Sequence, residues 1–80
     1  MDHEESLVAA LKGRDPASLD ALIETYGTRL LRSAALLCGN ETTAQDLVQD
    51  TFVEAYRSLH RFRGQSSLYT WLHSILPPWP

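Results

Sequence analysis

The stretch from Ala44 to Leu59 constrains the fold most, because its apolar residues repeat with the period of an α-helix for about four turns. At 100° per residue, these side chains occupy one half of a helix. Such a helix is stable only when its apolar face packs on another element. No strand-like alternation of apolar and polar residues occurs anywhere in the chain, so we predict an all-α fold, a compact bundle of about four helices. The repeating positions are Ala44, Leu47, Val48, Thr51, Phe52, Ala55, Tyr56 and Leu59.

Turn and capping residues divide the remaining chain into further helices. The apolar residues of the second helix recur at helical spacing and predict a buried stripe at Leu19, Leu22, Ile23, Tyr26, Leu30, Ala34 and Leu37. After Gly27, Leu31, Ala35 and Cys38 add another apolar side, which predicts deeper burial of its C-terminal half. The first helix is predicted at Glu4–Lys12, with Gly13 as its C′ residue. The second is predicted to run from an Asp15 N-cap, with Pro16 as its first residue, to Cys38. The third helix is predicted to be capped by Thr42 or Thr43, and the fourth by Ser66 or Ser67.

Length and cysteine content limit the class of protein. Eighty residues form one small domain, and the single Cys38 excludes an internal disulfide. The first residues are acidic where a secretory signal would be basic, and no apolar run approaches the ~18 residues that span a membrane. We therefore expect a cytoplasmic protein with no membrane span.

The net charge of −3 conceals an uneven distribution of charge. All ten acidic residues and four of the seven Lys and Arg residues lie in residues 1–56, whereas residues 57–80 hold Arg57, Arg61 and Arg63 and no acid. The part of this segment that follows the third helix is basic and rich in aromatic residues, which favours a local nucleic-acid contact, whereas Arg57 belongs to the end of that helix. The acidic part favours a basic protein partner.

The outward half of the third helix carries carboxylates at i, i+4 and i+8, accompanied by an amide and one exposed aliphatic residue. This pattern suits docking on a basic helical partner, since charge sets the approach and the aliphatic side chain supplies a dry contact. The alternative is an ordinary solvated helix face. The candidate docking residues are Asp46, Gln49, Asp50, Val53 and Glu54.

The segment that follows combines arginines, aromatic rings and a glycine, which is what an unpaired base and its phosphates require. Tyr69 lies off the apolar edge of the fourth helix and is the better stacking candidate, whereas Phe62 and Trp71 also fit the core. The candidate DNA-binding residues are Arg61, Phe62, Arg63, Gly64, Gln65, Ser66, Ser67 and Tyr69. No metal-ligand spacing, nucleophile–base pair or phosphate loop is present, so we expect neither an enzyme nor a cofactor.

Four separately spaced segments resemble region 2 of bacterial sigma factors of the extracytoplasmic-function group. They are residues 22–31, residues 44–56 (AQDLVQDTFVEAY), residues 62–67 (FRGQSS) and residues 70–72 (TWL). The resemblance implies a promoter-recognition subunit of RNA polymerase. It further implies that the third helix docks on the clamp helices of the β′ subunit, and that residues 60–71 bind an extruded base of the melted −10 non-template strand. An anti-sigma factor is a further partner that such proteins often have.

The chain departs from the family pattern after Ile75, where it reads Leu76-Pro-Pro-Trp-Pro. We expect a region 2 domain at 1–76, a short Pro-rich tail at 77–80 and no second domain in this sequence. An excised domain, a frameshifted product and a natural truncation all fit this ending. One alternative function is therefore a regulatory or vestigial module that binds polymerase or an anti-sigma factor without initiating transcription. A duplex-binding helix-turn-helix is disfavoured, because no basic recognition helix is present.

Overall fold

A computed structural model describes residues 3–76, which form four α-helices and one short 3-10 turn. The helices are α1 (His3–Lys12), α2 (Ser18–Cys38), α3 (Glu41–Arg57) and α4 (Leu68–Ile75), and the 3-10 turn is Leu59–Arg61. No strand occurs within these residues, and the predicted all-α bundle is confirmed. The Pro-rich tail predicted at 77–80 lies outside the described residues.

Helices α2 and α3 form an antiparallel hairpin joined by only two residues. Gly39 takes a left-handed conformation (φ 73°) and donates its N–H to the carbonyl of Ala35 at 2.8 Å, which ends α2. The side chain of Asn40 then accepts the N–H of Thr43 at 3.0 Å. Asn40 is therefore the N-cap of α3, and the prediction of Thr42 or Thr43 was wrong by two or three residues. Both threonines instead lie in the first turn of the helix.

Helix α1 ends in a left-handed residue, but this residue is Arg14 and not the predicted Gly13. Arg14 has φ 58°. Its N–H donates to the carbonyl of Leu11 at 3.1 Å, and the N–H of Asp15 donates to the carbonyl of Ala10 at 3.0 Å. These two hydrogen bonds form a Schellman motif in which Arg14 occupies the C′ position that glycine usually takes.

Helix α2 begins later than the sequence predicts, at Ser18. The Asp15 carboxylate still accepts a backbone N–H, that of Ala17 at 3.0 Å, and the Asp15 carbonyl accepts the Ser18 hydroxyl at 2.6 Å. Asp15 thus organises the turn before the helix, while Ala17 holds the N-cap position without a side-chain cap. The cap falls two residues from its predicted place.

The core is formed by one face of each helix, and the inner face predicted for α3 is confirmed. Ala44, Val48, Phe52 and Ala55 are all buried there. Thr51, which is also buried, donates its hydroxyl to the carbonyl of Leu47 at 2.7 Å. Among the described residues, no buried side-chain N or O atom lacks a hydrogen-bond partner. The other buried apolar residues are Leu7, Leu11, Leu22, Leu30, Ala34, Leu59, Phe62, Leu68 and Leu72.

The C-terminal end of α2 is more exposed than its sequence predicts. Leu36 is 87% exposed and Leu37 is 54% exposed, although Leu30 and Ala34 are fully buried. The prediction of deeper burial was wrong because burial here depends on which neighbouring helices cover each side. Within residues 3–76, neither α3 nor the eight-residue α4 covers the side that carries the two leucines. None of the helices described is long and apolar enough to cross a membrane.

Candidate functional site

The outward face of α3 carries the five predicted docking residues, and all five are exposed to solvent. Val53 is 46% exposed, so an aliphatic side chain lies open to solvent among the carboxylates. Glu54 accepts the Ser58 hydroxyl at 3.1 Å, a contact that leaves its second carboxylate oxygen available. The structure therefore presents the carboxylates, the amide and the aliphatic group on one accessible surface, which we call the acidic face (Asp46, Gln49, Asp50, Val53, Glu54).

An apolar groove of about 610 Å³ runs beside the acidic face, between α2 and α3. Gln49 and Val53 belong to both surfaces, so the carboxylates border an apolar depression. Ile23 lines the groove and is 42% exposed, although the sequence assigns it to the buried stripe of α2. Its spacing is that of a core residue, and only the position of α3 decides that the side chain stays open to solvent. The other lining residues are Leu19, Gly27, Thr28, Leu31, Gln45, Val48 and Phe52.

The predicted DNA-binding loop follows the 3-10 turn and has an exposed backbone. Gly64 is in the left-handed region (φ 75°), and a Cβ built there would meet no atom within 4 Å. The loop therefore turns sharply while its outer side stays open. The exposed residues are Arg61, at the end of the 3-10 turn, and Arg63, Gly64, Gln65, Ser66 and Ser67 of the loop.

Phe62 departs from the prediction, because its ring belongs to the core. The side chain is 4% exposed, and its ring centroid lies 5.3 Å from that of Trp71. An apolar ring next to a charged loop is buried whenever the bundle offers it a place. Phe62 thus anchors the loop, and its ring is not available for stacking on a base.

Helix α1 holds this loop in place, a role that nothing in the sequence indicates. Lys12 donates an Nζ–H to the carbonyl of Phe62 at 2.7 Å. Just after α1, Arg14 donates to the carbonyl of Tyr56, on α3, at 3.1 Å. A hollow of about 460 Å³ lies between α1 and the loop, within the usual range for small-ligand pockets. Both hydrogen bonds join residues more than 40 positions apart, so no local pattern could predict them. The hollow is lined by Glu4, Glu5, Val8, Ala9, Lys12, Phe62, Arg63, Gly64 and Ser66.

Ser67 and Tyr69 lie at the start of α4, where the loop ends. Ser67 is the N-cap, and its hydroxyl accepts the N–H of Thr70 at 3.1 Å. Tyr69 is half-buried, with its ring centroid 3.7 Å from the guanidinium carbon of Arg29. One face of the predicted stacking ring is therefore already occupied by an arginine.

No group of three or more His, Cys, Asp or Glu side chains among residues 3–76 is arranged to hold a metal ion.

Comparison with known proteins shows which family this domain belongs to. A family model described as Sigma-70 region 2 matches residues 22–76, more than half of the chain. The chain belongs to the sigma-70 family, as a region 2 domain of the extracytoplasmic-function group. The match includes the acidic face, the groove residues from Ile23 onward and the whole loop. Helix α1, which holds the loop, precedes it.

Relatives from three bacteria resemble this region 2 domain. It is 34% identical to the RNA polymerase sigma-H factor of Pseudomonas aeruginosa over 92% of its own length and 38% of that protein's. It is 39% identical to the ECF RNA polymerase sigma factor SigG of Mycobacterium tuberculosis, over 88% of its own length and 20% of the length of SigG. It is 42% identical to the RNA polymerase sigma factor YlaC of Bacillus subtilis, over 81% of its own length and 36% of the length of YlaC. The chain thus spans between a fifth and two fifths of the length of these relatives.

Proposed function

We propose that this domain docks on core RNA polymerase and binds the melted non-template strand of the −10 promoter element during transcription initiation. The observation that supports this most is that one small bundle carries two separate exposed surfaces of different chemistry. One is acidic and bordered by an apolar groove, and the other is basic, glycine-containing and next to a hollow. Since core polymerase and promoter DNA are both cytoplasmic in bacteria, we place the protein there.

The docking surface joins electrostatic and apolar contributions. Asp46, Asp50 and Glu54 supply long-range attraction to a basic partner, which mainly sets the rate and orientation of association. Val53 and Ile23 are exposed at the groove, and burying such side chains contributes roughly 25 cal/mol per Å² of apolar area. A basic helical partner with an apolar ridge, such as the β′ clamp helices, fits both parts.

The loop surface suits an extruded base and its phosphates. Arg61 and Arg63 are exposed and supply charge, and the left-handed Gly64 allows a strand to approach the backbone closely. Extrusion of a base costs a few kcal/mol, which a pocket and one or two arginine contacts can offset. The hollow beside α1 is a place for that base, with Ser66 in its lining as a hydrogen-bonding group and Gln65 next to Ser66 in the chain.

The docking assignment is tested by a charge reversal on the acidic face. Asp50→Lys should weaken pull-down of core polymerase several-fold without altering the far-UV circular dichroism spectrum of the domain. Glu5→Lys makes the same charge change on α1 and should leave pull-down unchanged. If Asp50→Lys binds as the wild type does, or if Glu5→Lys weakens binding equally, the acidic face is not the docking surface.

The DNA assignment is tested by comparing a labelled single strand with the blunt duplex of the same sequence. We expect weak binding that prefers the single strand, falls steeply with added salt and is reduced by Arg63→Ala. Equal binding to both forms would contradict recognition of melted DNA.

A second candidate function is binding to polymerase or to an anti-sigma factor without initiation. It is favoured by the contrast between the two surfaces. The residues of the acidic face are all exposed and the groove beside it is open, whereas the Phe62 ring is buried and one face of the Tyr69 ring is covered by Arg29. Polymerase binding without any single-strand binding would select this alternative.

A further inference from the structure

The second half of α2 and helix α4 lie side by side and run in the same direction. Tyr26 and Tyr69 have ring centroids 6.3 Å apart, and one to two turns further along both helices Ser33 and His73 form a hydrogen bond of 3.0 Å. Residues 25–40 contain no Asp or Glu, and neither do residues 57–80. The fold therefore places two acid-free segments next to each other. The arginines of these two segments, three in residues 57–80 and two in residues 25–40, therefore belong to neighbouring parts of the folded domain.

Arg29 and Arg32 provide the charge on the α2 side of these neighbouring segments. Both side chains are exposed, and at a spacing of i and i+3 they lie on neighbouring turns of one side of the helix. The Arg29 guanidinium is in van der Waals contact with the Tyr69 ring, at 3.7 Å from the centroid. This contact restricts the side chain and leaves its N–H donors available at the edges. Arg32 forms no side-chain hydrogen bond or ion pair with any residue in 3–76.

We infer that Arg29 and Arg32 form a second phosphate-binding surface for single-stranded DNA, which extends the strand's path from the loop across α4 to α2. This inference rests on the proposed function, and it adds residues of α2 to those that contact the single strand. A base that reaches this position stacks on the outer face of the Arg29 guanidinium, because the inner face is taken by Tyr69. The Tyr69 ring supports the arginine and is not itself the stacking surface.

A purely structural role explains only part of this arrangement. A cation–π contact at an exposed site contributes about 0.5–1 kcal/mol, so Arg29 could serve only to hold α2 against α4. That explanation does not apply to Arg32, which makes no such contact. Arg32 therefore separates the two roles, since its replacement should leave the fold intact and still weaken DNA binding.

The experiment measures binding of the full chain to a fluorescein-labelled thymidine 15-mer by anisotropy at a series of NaCl concentrations. For single strands, removing one phosphate-binding cation reduces the slope of log K against log salt by about 0.7. Arg32→Ala should show this reduction, so that its affinity relative to wild type changes about five-fold over a tenfold range of salt. Arg29→Ala should show it together with a lower melting temperature. Arg57→Ala, which removes the same charge from the outward side of α3, should keep the wild-type slope.

Three results would overturn the inference in distinguishable ways. If Arg63→Ala reduces the slope and Arg32→Ala does not, DNA binds at the loop alone. If Arg57→Ala reduces the slope as much as Arg32→Ala, the effect is one of net charge and not of this surface. If the wild-type chain does not bind the oligonucleotide at all, the proposed DNA-binding function fails together with the inference.

Discussion

Arg14 is held in a conformation that normally belongs to glycine, and this offers a quantitative test of how α1 is attached. Its φ of 58° lies in the left-handed region. Its guanidinium carbon is 4.5 Å from the centroid of the Tyr56 ring, and an Nη1 group donates to the Tyr56 carbonyl at 3.1 Å. We interpret the backbone strain as offset by these interactions, which join the end of α1 to the end of α3.

The expected magnitudes differ between two replacements of Arg14. The left-handed conformation costs a residue with a Cβ about 1–2 kcal/mol. The cation–π contact contributes about 0.5–1 kcal/mol and the hydrogen bond about 0.5–1.5 kcal/mol. Arg14→Ala keeps the strain and removes both interactions, so the free energy of unfolding should fall by about 1–2.5 kcal/mol. Arg14→Gly also removes the interactions but relieves the strain. Glycine also stabilises the unfolded chain by about 0.5–1 kcal/mol through its entropy, which offsets part of the relieved strain. Arg14→Gly should therefore be more stable than Arg14→Ala by about 0.5–1 kcal/mol.

Urea and thermal unfolding followed by far-UV circular dichroism would measure both variants, since 1 kcal/mol shifts the melting temperature of a domain of this size by about 4–8 °C. Tyr56→Leu removes the ring and keeps the backbone carbonyl, so a double-mutant cycle with Arg14→Gly isolates the ring contact. An Ala variant as stable as the Gly variant would refute the strain at position 14. A coupling energy of zero in the cycle would refute the cation–π contribution.

Three further predictions concern the caps and the loop. Lys12→Met should lower the free energy of unfolding by about 1 kcal/mol and speed amide hydrogen exchange in residues 63–66, because the carbonyl of Phe62 loses its donor; unchanged exchange would show that α1 does not hold the loop. Gly64→Ala should cost about 1 kcal/mol in an unfolding experiment, since a Cβ finds open space there but the φ of 75° is strained; an increase in stability would contradict this. Asn40→Ala should lower the free energy of unfolding by about 1 kcal/mol, whereas Thr42→Ala should change it by less than about 0.5 kcal/mol. A larger loss for Thr42→Ala than for Asn40→Ala would show that Thr42 is the N-cap of α3.

The local patterns of the chain predict its helices and their faces. The inner face of α3 and the exposure of Asp46 and Asp50 agree with the periodicity, because in a helix residues three and four apart share a side whatever they pack on. Caps are less well predicted. Asn40 and Thr42 are both good capping residues, and only the geometry of a two-residue hairpin loop selects Asn40.

The family, the helices and the two candidate surfaces can thus be found from the sequence alone, since each depends on residues close together in the chain. The tertiary structure alone decides how those segments meet. It buries the Phe62 ring, leaves Ile23 open at a groove, and sets Arg29 against a tyrosine 40 positions away. Contacts of this kind depend on which helix covers which face. No periodicity records that choice, because an arginine on α2 has the same local pattern whether or not α4 lies beside it. The acid-free residues 57–80 therefore meet Arg29 of α2, at the Tyr69 ring, only in the folded domain.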